Sequence, residues 1–248
     1  MDIIYEKEYV LTDMHSNAFG RAKPAALLAL AQDIAGEHAT LLSDSWEGLQ
    51  KKHLFWAVSR HRLEIFCPPR TGETLLLRTW PMVTTRVAYP RAVEGYRKDG
   101  TLLFRVVSLW ILMDTESRSL VLPGKGGLTI NGCNRGTEGP LPISLSPGHY
   151  ENQAVRTVVY SDLDRNQHMN NTRYLDWIED LMPLAFHRDH YLTSCMICYH
   201  QELLPDQALS LSWQLREGGL FSLDGHLTNS AVEKRIFSAQ IQYAPVVL

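Results

Sequence analysis

The chain has 248 residues, a formal net charge of −3 and 21% charged residues. That length allows one large domain or two small ones, and the mildly acidic balance gives no reason to expect nucleic-acid binding. No apolar stretch approaches membrane-spanning length, and no basic end with an apolar run precedes the first element, so we expect a cytoplasmic protein. Four irregularly spaced cysteines predict free thiols in a reducing compartment rather than a disulfide framework.

The first predicted elements are a strand at residues 3–11 and a helix at about residues 25–42. Leu27 and Ile34 lie on one face of that helix, in an Ala- and Leu-rich segment, which predicts that this face is buried. Pro24 is compatible with the first helical turn, where its missing N–H would have no intrahelical partner. We therefore expect a long buried helix with a polar edge.

Antiparallel strands are predicted to follow the helix. Apolar and aromatic segments alternate with Pro, Gly and Thr, and the Asp99-Gly100 pair between two of them is a strong hairpin signal. One helix followed by antiparallel strands is an α+β arrangement. The predicted strands are residues 55–66, 73–83, 86–97 and 101–114.

The composition changes in residues 123–148, where glycines and prolines replace apolar periodicity. We predict that this segment links two modules. Its Gly124-Lys125-Gly126-Gly127 run lacks the spacing of a phosphate-binding loop, and no βαβ pattern surrounds it.

The most informative stretch follows this linker. Residues 155–160 have strand composition, and apolar side chains recur at helical spacing over residues 174–185. Between them, Asp164, Asn166 and His168 place a carboxylate, a carboxamide and an imidazole two residues apart. These are the groups of a hydrolytic site, and a well-capped polar loop with a surface histidine is the alternative.

The start of that second helix is a predicted site for a developing negative charge. Asn170 or Asn171 is suited to cap the helix, because a short side-chain acceptor satisfies a free N–H group of the first turn. Free N–H groups and the helix dipole stabilise an oxyanion. We expect the backbone N–H groups of His168, Met169 and Asn170 to have this role.

The same stretch reads Asp162-Leu163-Asp164-Arg165-Asn166-Gln167-His168-Met169-Asn170-Asn171, followed by Tyr174 and Trp177. This segment resembles the active-site segment of the acyl–acyl-carrier-protein thioesterases, which include the plant plastid enzymes that end fatty-acid synthesis and related bacterial proteins. The resemblance implies two tandem hotdog modules, each a curved antiparallel sheet wrapped around a long central helix. It also implies release of free fatty acid from acyl carrier protein (ACP) that bears acyl-phosphopantetheine, without a cofactor or metal. A looser Asp-x-Asp-x-x-Gly-His-x-Asn-Asn pattern occurs in hotdog thioesterases that act on coenzyme A esters.

A degenerate copy of this pattern lies 149 residues earlier in the sequence. It predicts two copies of one module, at residues 1–122 and 149–248, of which only the second is catalytic. By the resemblance, the first module supplies the acyl-chain pocket. The spacing pairs Asp13 with Asp162, His15 with Asp164, Asn17 with Asn166, and Phe19 with His168.

Four further strands complete the second module. The run from Tyr199 to Leu203 resembles the family's strand with a functional glutamate, which gives that role to Glu202, and an ordinary edge-strand carboxylate is the alternative. Many plant members have a cysteine at the position of Leu203, so a thiol nucleophile is unavailable there. The predicted strands are residues 193–204, 208–216, 220–228 and 235–244.

The predicted mechanism is attack of water on the thioester carbonyl. His168 or Glu202 activates the water, and Asn166 positions the water or the carbonyl. Asp164 orients and charges the histidine. A covalent anhydride through Asp164 or Glu202 is an open alternative.

A metal site is a further possibility that the sequence disfavours. His187, His190, Cys195 and Cys198 could together bind zinc. The two cysteines fall in a predicted strand, where residues three apart point to opposite faces. We expect buried thiols and solvent-exposed histidines instead.

An acidic carrier protein would dock on a basic patch, although a coenzyme A phosphate would use the same charges. Three rival functions remain open, namely a hotdog acyl-CoA thioesterase, a hotdog dehydratase or hydratase, and a non-catalytic acyl-binding module. The protein is expected to be a monomer or a homodimer. The candidate docking residues are Arg165, Arg173, Arg188, Lys51 and Lys52.

Overall fold

The computed structural model describes residues 3–42, 46–124, 128–230 and 233–246. The chain divides into two compact units, Met1–Pro142 and Ile143–Leu248, which are called the first unit and the second unit below. Across the described ranges, no helix is long and apolar enough to cross a membrane.

The first unit is an antiparallel sheet with one long helix. Its elements are β1 (Tyr5–Val10), α1 (Pro24–Leu42), α2 (Trp46–Lys51), β2 (Leu54–Ile65), β3 (Thr74–Pro81), β4 (Tyr89–Tyr96), β5 (Leu102–Asp114) and β6 (Leu120–Val121). The strands pair in the order β1, β3, β4, β5, β2, with β6 on β5. Leu27, Leu28 and Ile34 of α1 are fully buried, as the spacing predicts. The predicted helix and strands of this unit are thus confirmed, whereas the six-residue α2 is too short to show a period in the sequence.

The second unit repeats this arrangement with shorter helices. Its elements are β7 (Asn152–Thr157), α3 (Arg173–Glu179), α4 (Leu184–Asp189), β8 (His190–Tyr199), β9 (Ala208–Leu215), β10 (Leu220–Leu227) and β11 (Arg235–Pro245). The strands pair antiparallel in the order β8, β11, β10, β9, β7. The predicted α+β class is therefore confirmed in both units.

The second unit has two short helices where the sequence predicts one long helix. Helix α3 ends at Glu179 and α4 begins at Leu184, after Pro183 in an extended conformation with ψ of 155°. Proline disfavours helical backbone at the preceding residue and has no N–H to donate, so it interrupts the helix. The apolar spacing of residues 174–185 therefore continues across a break in the helix.

The segment predicted as a linker has no helix or strand in residues 123, 124 and 128–148. Its residues up to Pro142 belong to the first unit, where the N–H of Cys133 donates to the carbonyl of Pro81 at 3.0 Å. The run that contains Lys125 continues through residues 125–127, which lie outside the described residues.

Glu138 anchors this segment to strand β3. Its carboxylate is buried and accepts the indole N–H of Trp80 at 3.1 Å, together with the backbone N–H groups of Arg135 and Gly136. Burial by itself raises the pKa of this carboxyl, but the N–H donors outweigh burial and hold the pKa below its ordinary value. The anion is therefore the form that stabilises the fold.

Replacing Glu138 by alanine is expected to lower the free energy of unfolding by about 1–3 kcal/mol at neutral pH, because buried N–H donors lose their acceptor. Since the folded-state pKa is depressed, this stabilisation exists above the ordinary glutamate pKa of about 4.3 and is lost as the pH falls through the folded-state value. Urea unfolding of wild type and Glu138→Ala at neutral and acidic pH measures the difference between their free energies of unfolding, which should be smaller in acid. Glu151→Ala, at an exposed position, is the matched control. Equal free energies of unfolding of Glu138→Ala and wild type at neutral pH would contradict the proposed anchoring role of Glu138.

Candidate active site

The polar segment of the second unit folds into a tight hairpin turn. Leu163 and Met169 form an antiparallel bridge at its base. The N–H of Asp164 donates to the carbonyl of His168 at 2.9 Å, and the N–H of Gln167 donates to the carbonyl of Asp164 at 3.0 Å. Gln167 has φ of +64°, the left-handed conformation that closes a three-residue hairpin loop. The turn thereby fixes the backbone on both sides of its tip.

Asp164 holds this turn through its carboxylate. One carboxylate oxygen accepts the N–H of Asn166 at 2.8 Å and the N–H of His168 at 3.3 Å. The other oxygen lies 3.4 Å from the side-chain nitrogen of Asn166. These contacts orient His168 through its backbone and orient Asn166 through both backbone and side chain.

The strand before the turn ends earlier than predicted. Strand β7 stops at Thr157, and a 3-10 turn occupies Tyr160–Asp162. The buried carboxylate of Asp162 accepts the N–H of Val159 at 3.1 Å and lies 3.4 Å from Nε of Arg173. A local side-chain bond of this kind competes with strand pairing, which accounts for the early end.

The side chain of Asn170 lies at the start of α3. Its Oδ1 accepts the N–H and the hydroxyl of Thr172, each at 2.9 Å. The regular helix begins one residue later, at Arg173. The N-cap position itself is Thr172, which makes no side-chain capping bond, so the prediction that Asn170 or Asn171 occupies that position is wrong, and Asn170 instead holds the turn that leads into α3.

Two of the three predicted oxyanion donors are already engaged. The N–H of Met169 donates to the carbonyl of Leu203 at 2.9 Å, and the N–H of Asn170 donates to the carbonyl of Asp162 at 2.8 Å. The prediction is wrong for these two groups, because each joins the turn to a neighbouring segment. The N–H of His168 has a longer bond of 3.3 Å, to the carboxylate of Asp164.

The structure places His168 beside Glu202. The Nε2 of His168 lies 3.7 Å from a carboxylate oxygen of Glu202, with side-chain exposures of 23% and 40%. Glu202 is not in a strand as predicted, because β8 ends at Tyr199 and residues 200–207 form a loop before β9. The reading of Glu202 as an edge-strand carboxylate is thereby excluded.

One contact joins the hairpin turn of residues 163–169, called the histidine turn below, to this loop, and a second joins the end of β8 to the residues that follow the turn. The bond from the N–H of Met169 to Leu203 fixes the residue that follows Glu202, and the Leu203 side chain is fully buried. The hydroxyl of Tyr199 donates to the carbonyl of Asn171 at 2.8 Å. Burial raises the pKa of Tyr199 well above its ordinary value, so this phenol remains a neutral donor. Sequence patterns alone give no signal for this tyrosine, since it looks like an ordinary strand residue.

The first unit contains the same turn without its chemistry. The side chain of Asn17 accepts the N–H of Phe19 at 3.0 Å and the N–H of Arg21 at 3.2 Å. Gly20 has φ of +68°, the conformation of Gln167. Asn17, Phe19 and Arg21 therefore occupy the positions of Asp164, Asn166 and His168.

This correspondence corrects the register of the repeat from 149 to 147 residues. Further bonds agree with 147, since Ala22 donates to Pro69 at the position where Met169 donates to Leu203. His15 corresponds to Asp162, and its Nδ1 accepts the N–H of Thr12 at 3.1 Å. The predicted pairs of Asp13, His15, Asn17 and Phe19 are therefore each displaced by two residues. The inference that the first copy lacks the catalytic groups is unchanged by this shift.

The four candidate zinc ligands have other contacts. His187 contacts the carbonyl of Glu179 through Nε2 at 2.8 Å, and Nδ1 of His190 lies 3.1 Å from a backbone carbonyl. Cys195 and Cys198 are both buried. In the part of the chain that the structure describes, no group of three or more His, Cys, Asp or Glu side chains could hold a metal ion.

The three predicted docking arginines lie in different surroundings. Arg173 pairs with Asp176 at 2.6 Å, and Arg188 pairs with Asp189 at 2.8 Å. Arg165 lies at the exposed tip of the histidine turn. Among the three, Arg165 is the one that belongs to the same turn as Asp164, Asn166 and His168.

Comparison with known proteins gives consistent matches along the chain. The sequence profile of the acyl-ACP thioesterase N-terminal domain matches residues 2–122, and that of the C-terminal domain matches residues 148–245. A chloroplastic oleoyl-acyl carrier protein thioesterase from Arabidopsis thaliana is 23% identical over 83% of this chain, and the match spans 62% of that relative's length.

Solved structures share the fold over nearly the whole chain. An acyl-ACP thioesterase from Bacteroides thetaiotaomicron superposes with a TM-score of 0.81 and 22% identity, over 97% of this chain and 98% of the other. A 12:0-ACP thioesterase from Umbellularia californica gives 0.82 and 21% identity, over 99% of each chain. The predicted double-hotdog fold is thereby confirmed.

Proposed function

Because the chain belongs to the acyl-ACP thioesterase family, we propose that it hydrolyses acyl-ACP thioesters and releases free fatty acid. The observation that supports this proposal most directly is the imidazole of His168 beside the carboxylate of Glu202, at 3.7 Å, on two loops held together by backbone bonds. An imidazole next to a carboxylate is suited to accept a proton from water near neutral pH. A site for water attack is therefore present in the second unit.

In the proposed reaction, a water oxygen bonds to the thioester carbonyl carbon while His168 takes a proton from that water. The negative Glu202 stabilises the imidazolium that forms. The tetrahedral intermediate then expels the phosphopantetheine sulfur, which takes the proton back from His168. The products are the fatty acid and the carrier thiol, and general acid–base catalysis of this kind contributes a factor of about 10²–10⁴ to the rate.

The side chain of Asn166 is the proposed oxyanion donor, because the backbone N–H of His168 already donates to the Asp164 carboxylate. The side-chain amide of Asn166 has two N–H donors, of which one faces Asp164 at 3.4 Å. The other can donate to the thioester oxygen. A donor placed at the developing oxyanion is worth about 10²–10³ in rate.

The carrier protein and the cellular location are parts of the same proposal. ACP is acidic, and Arg165 at the exposed tip of the turn is placed to meet it beside the active site.

All four cysteines are free, which fits the reducing cytoplasm. All four predicted catalytic residues belong to the second unit, so the proposed chemistry needs no residue from another chain. The acyl-chain pocket of the first unit stays a prediction.

Hydrolysis of a ladder of saturated acyl thioesters on ACP and on coenzyme A tests the substrate class. We expect kcat/KM to be at least about tenfold higher on ACP, because charge complementarity favours the acidic carrier. A preference for coenzyme A would instead support an acyl-CoA thioesterase. Hydration of an enoyl thioester without hydrolysis would support a lyase, and binding without turnover an acyl-binding module.

A further inference from the structure

Arg235, the first residue of β11, connects several parts of the second unit through one largely buried guanidinium, whose side chain is 15% exposed. Its Nε lies 3.3 Å from a carboxylate oxygen of Asp224 and donates to Nε2 of His200 at 3.0 Å. Its Nη2 donates to the hydroxyl of Ser238 at 2.9 Å and to the carbonyl of Leu145 at 2.5 Å. The hydrolytic mechanism uses none of these contacts directly.

The partner carboxylate gives Arg235 a fixed position. Asp224 is 1% exposed, and its other oxygen accepts the N–H of Gly148 at 2.8 Å. A charge buried to this extent requires its ion-pair partner, so the guanidinium has little freedom to move away. His200, which this guanidinium contacts, is an exposed residue.

His200 begins the loop that presents Glu202. The backbone N–H groups of His200 and Gln201 both donate to the carbonyl of Ile236, at 2.8 and 3.3 Å. The ring of His200 is held by Arg235 and by Ser238, whose hydroxyl lies 3.0 Å from Nε2. On the other side of Glu202, the carbonyl of Leu203 accepts the N–H of Met169. The loop is therefore fixed by hydrogen bonds on both sides of Glu202.

We propose that Arg235 is a positioning residue that holds His200, and through it the loop, so that the carboxylate of Glu202 stays beside His168. The inference rests on the proposed hydrolysis. A displacement of about 1 Å in a reacting group can cost about a hundredfold in rate, so a contact that fixes this loop acts on turnover without touching the substrate. The guanidinium donates to Nε2 of His200, which requires that nitrogen to be an acceptor and its ring to be neutral.

The test combines variants of His200 and Arg235 with Glu202→Gln. His200→Phe removes the acceptor and leaves the buried pair of Arg235 and Asp224 intact, so it preserves the fold. We expect His200→Phe to lower kcat on acyl-ACP about tenfold or more with KM nearly unchanged, and His200→Gln, which retains an acceptor, to restore most of the turnover. Arg235→Met should lower kcat at least as much.

In the Glu202→Gln background, neither His200→Phe nor Arg235→Met should lower kcat further, because the carboxylate that His200 and Arg235 position is already absent. Losses that multiply in that background would overturn the proposal, as would wild-type kcat in His200→Phe. Arg156→Met, which removes an arginine paired with the exposed Asp180 at 3.2 Å, is the matched control and should remain within about twofold of wild type.

A crystal structure of His200→Phe tests the positioning role independently of turnover. We expect the separation between His168 Nε2 and the nearest oxygen of Glu202 to exceed the 3.7 Å of the unsubstituted chain. An unchanged separation would overturn the proposal even if the protein hydrolyses acyl-ACP. Absence of hydrolysis by the wild type, with the separation increased in the variant, would instead overturn the proposed function alone.

Discussion

Replacing His168 by alanine is expected to lower kcat on acyl-ACP at least about a hundredfold, because the imidazole is the proposed acceptor and donor of the transferred proton. The loss should appear mainly in kcat, since the side chain acts on the reacting atoms rather than on the bulk of the substrate. Only 23% of the imidazole is exposed, so its truncation should also lower the free energy of unfolding, by about 0.5–3 kcal/mol. Steady-state hydrolysis and urea unfolding of the same preparation measure both quantities.

Arg21→Ala is the control for this experiment, because Arg21 occupies the position of His168 in the first unit. We expect Arg21→Ala to keep kcat within a few fold of wild type. The first unit has Asn17 at the position of Asp164 and Phe19 at the position of Asn166, so its copy of the turn lacks the catalytic groups. If His168→Ala kept more than a tenth of wild-type turnover, the proposed proton transfer would be wrong. A loss in Arg21→Ala as large as that in His168→Ala would contradict the assignment of catalysis to the second unit.

Replacing Asp164 by asparagine is expected to lower kcat about a hundredfold while leaving the fold intact. Asn17 makes the same two backbone bonds in the first unit, so an asparagine is able to hold this turn. The new side-chain nitrogen, however, would face the side-chain nitrogen of Asn166, and two N–H donors cannot bond to each other. Asn166 would then lose the orientation that we propose for binding the thioester oxygen, and displacement of such a group costs about 10² in rate.

Thermal unfolding separates the two roles of Asp164. We expect Asp164→Asn to lose about 1 kcal/mol or less of stability, a shift of roughly 2–4 °C in Tm, and Asp164→Ala to lose about twice that, because alanine accepts neither backbone N–H. Turnover should fall in both variants. Wild-type kcat in Asp164→Asn would show that the carboxylate only builds the turn.

Local sequence patterns were sufficient to predict most of the fold. Helix α1 and the strands of both units have clear apolar periodicity or β-branched and aromatic composition, and most are found close to their predicted bounds, whereas β8 ends at Tyr199, five residues before its predicted end. The prediction of one long helix in the second unit failed because apolar spacing continues across Pro183, which sits in an extended conformation. Strand β7 ends early because the side chain of Asp162 accepts the N–H of Val159, and strand propensity does not take such a side-chain bond into account.

The candidate site was predictable only where its residues are close in the chain. Asp164, Asn166 and His168 share one turn, and their spacing is legible in the sequence. The role of Glu202 was predicted only from a family resemblance, and its position beside His168 depends on contacts between residues distant in the chain. The repeat register was misread by two residues because matching residue types, Asp13 with Asp162 among them, outweighed the hydrogen-bond pattern that only the structure reveals.

The most direct test of this account is a double-variant cycle between His168 and Glu202, measured as kcat for acyl-ACP hydrolysis by wild type, His168→Ala, Glu202→Gln and the double variant. We expect a large loss in His168→Ala, a smaller loss of about tenfold or more in Glu202→Gln, and little further loss when both are combined, because Glu202 acts through the imidazole. Independent losses that multiply, or full turnover in Glu202→Gln, would contradict the pairing of these two residues as the catalytic centre.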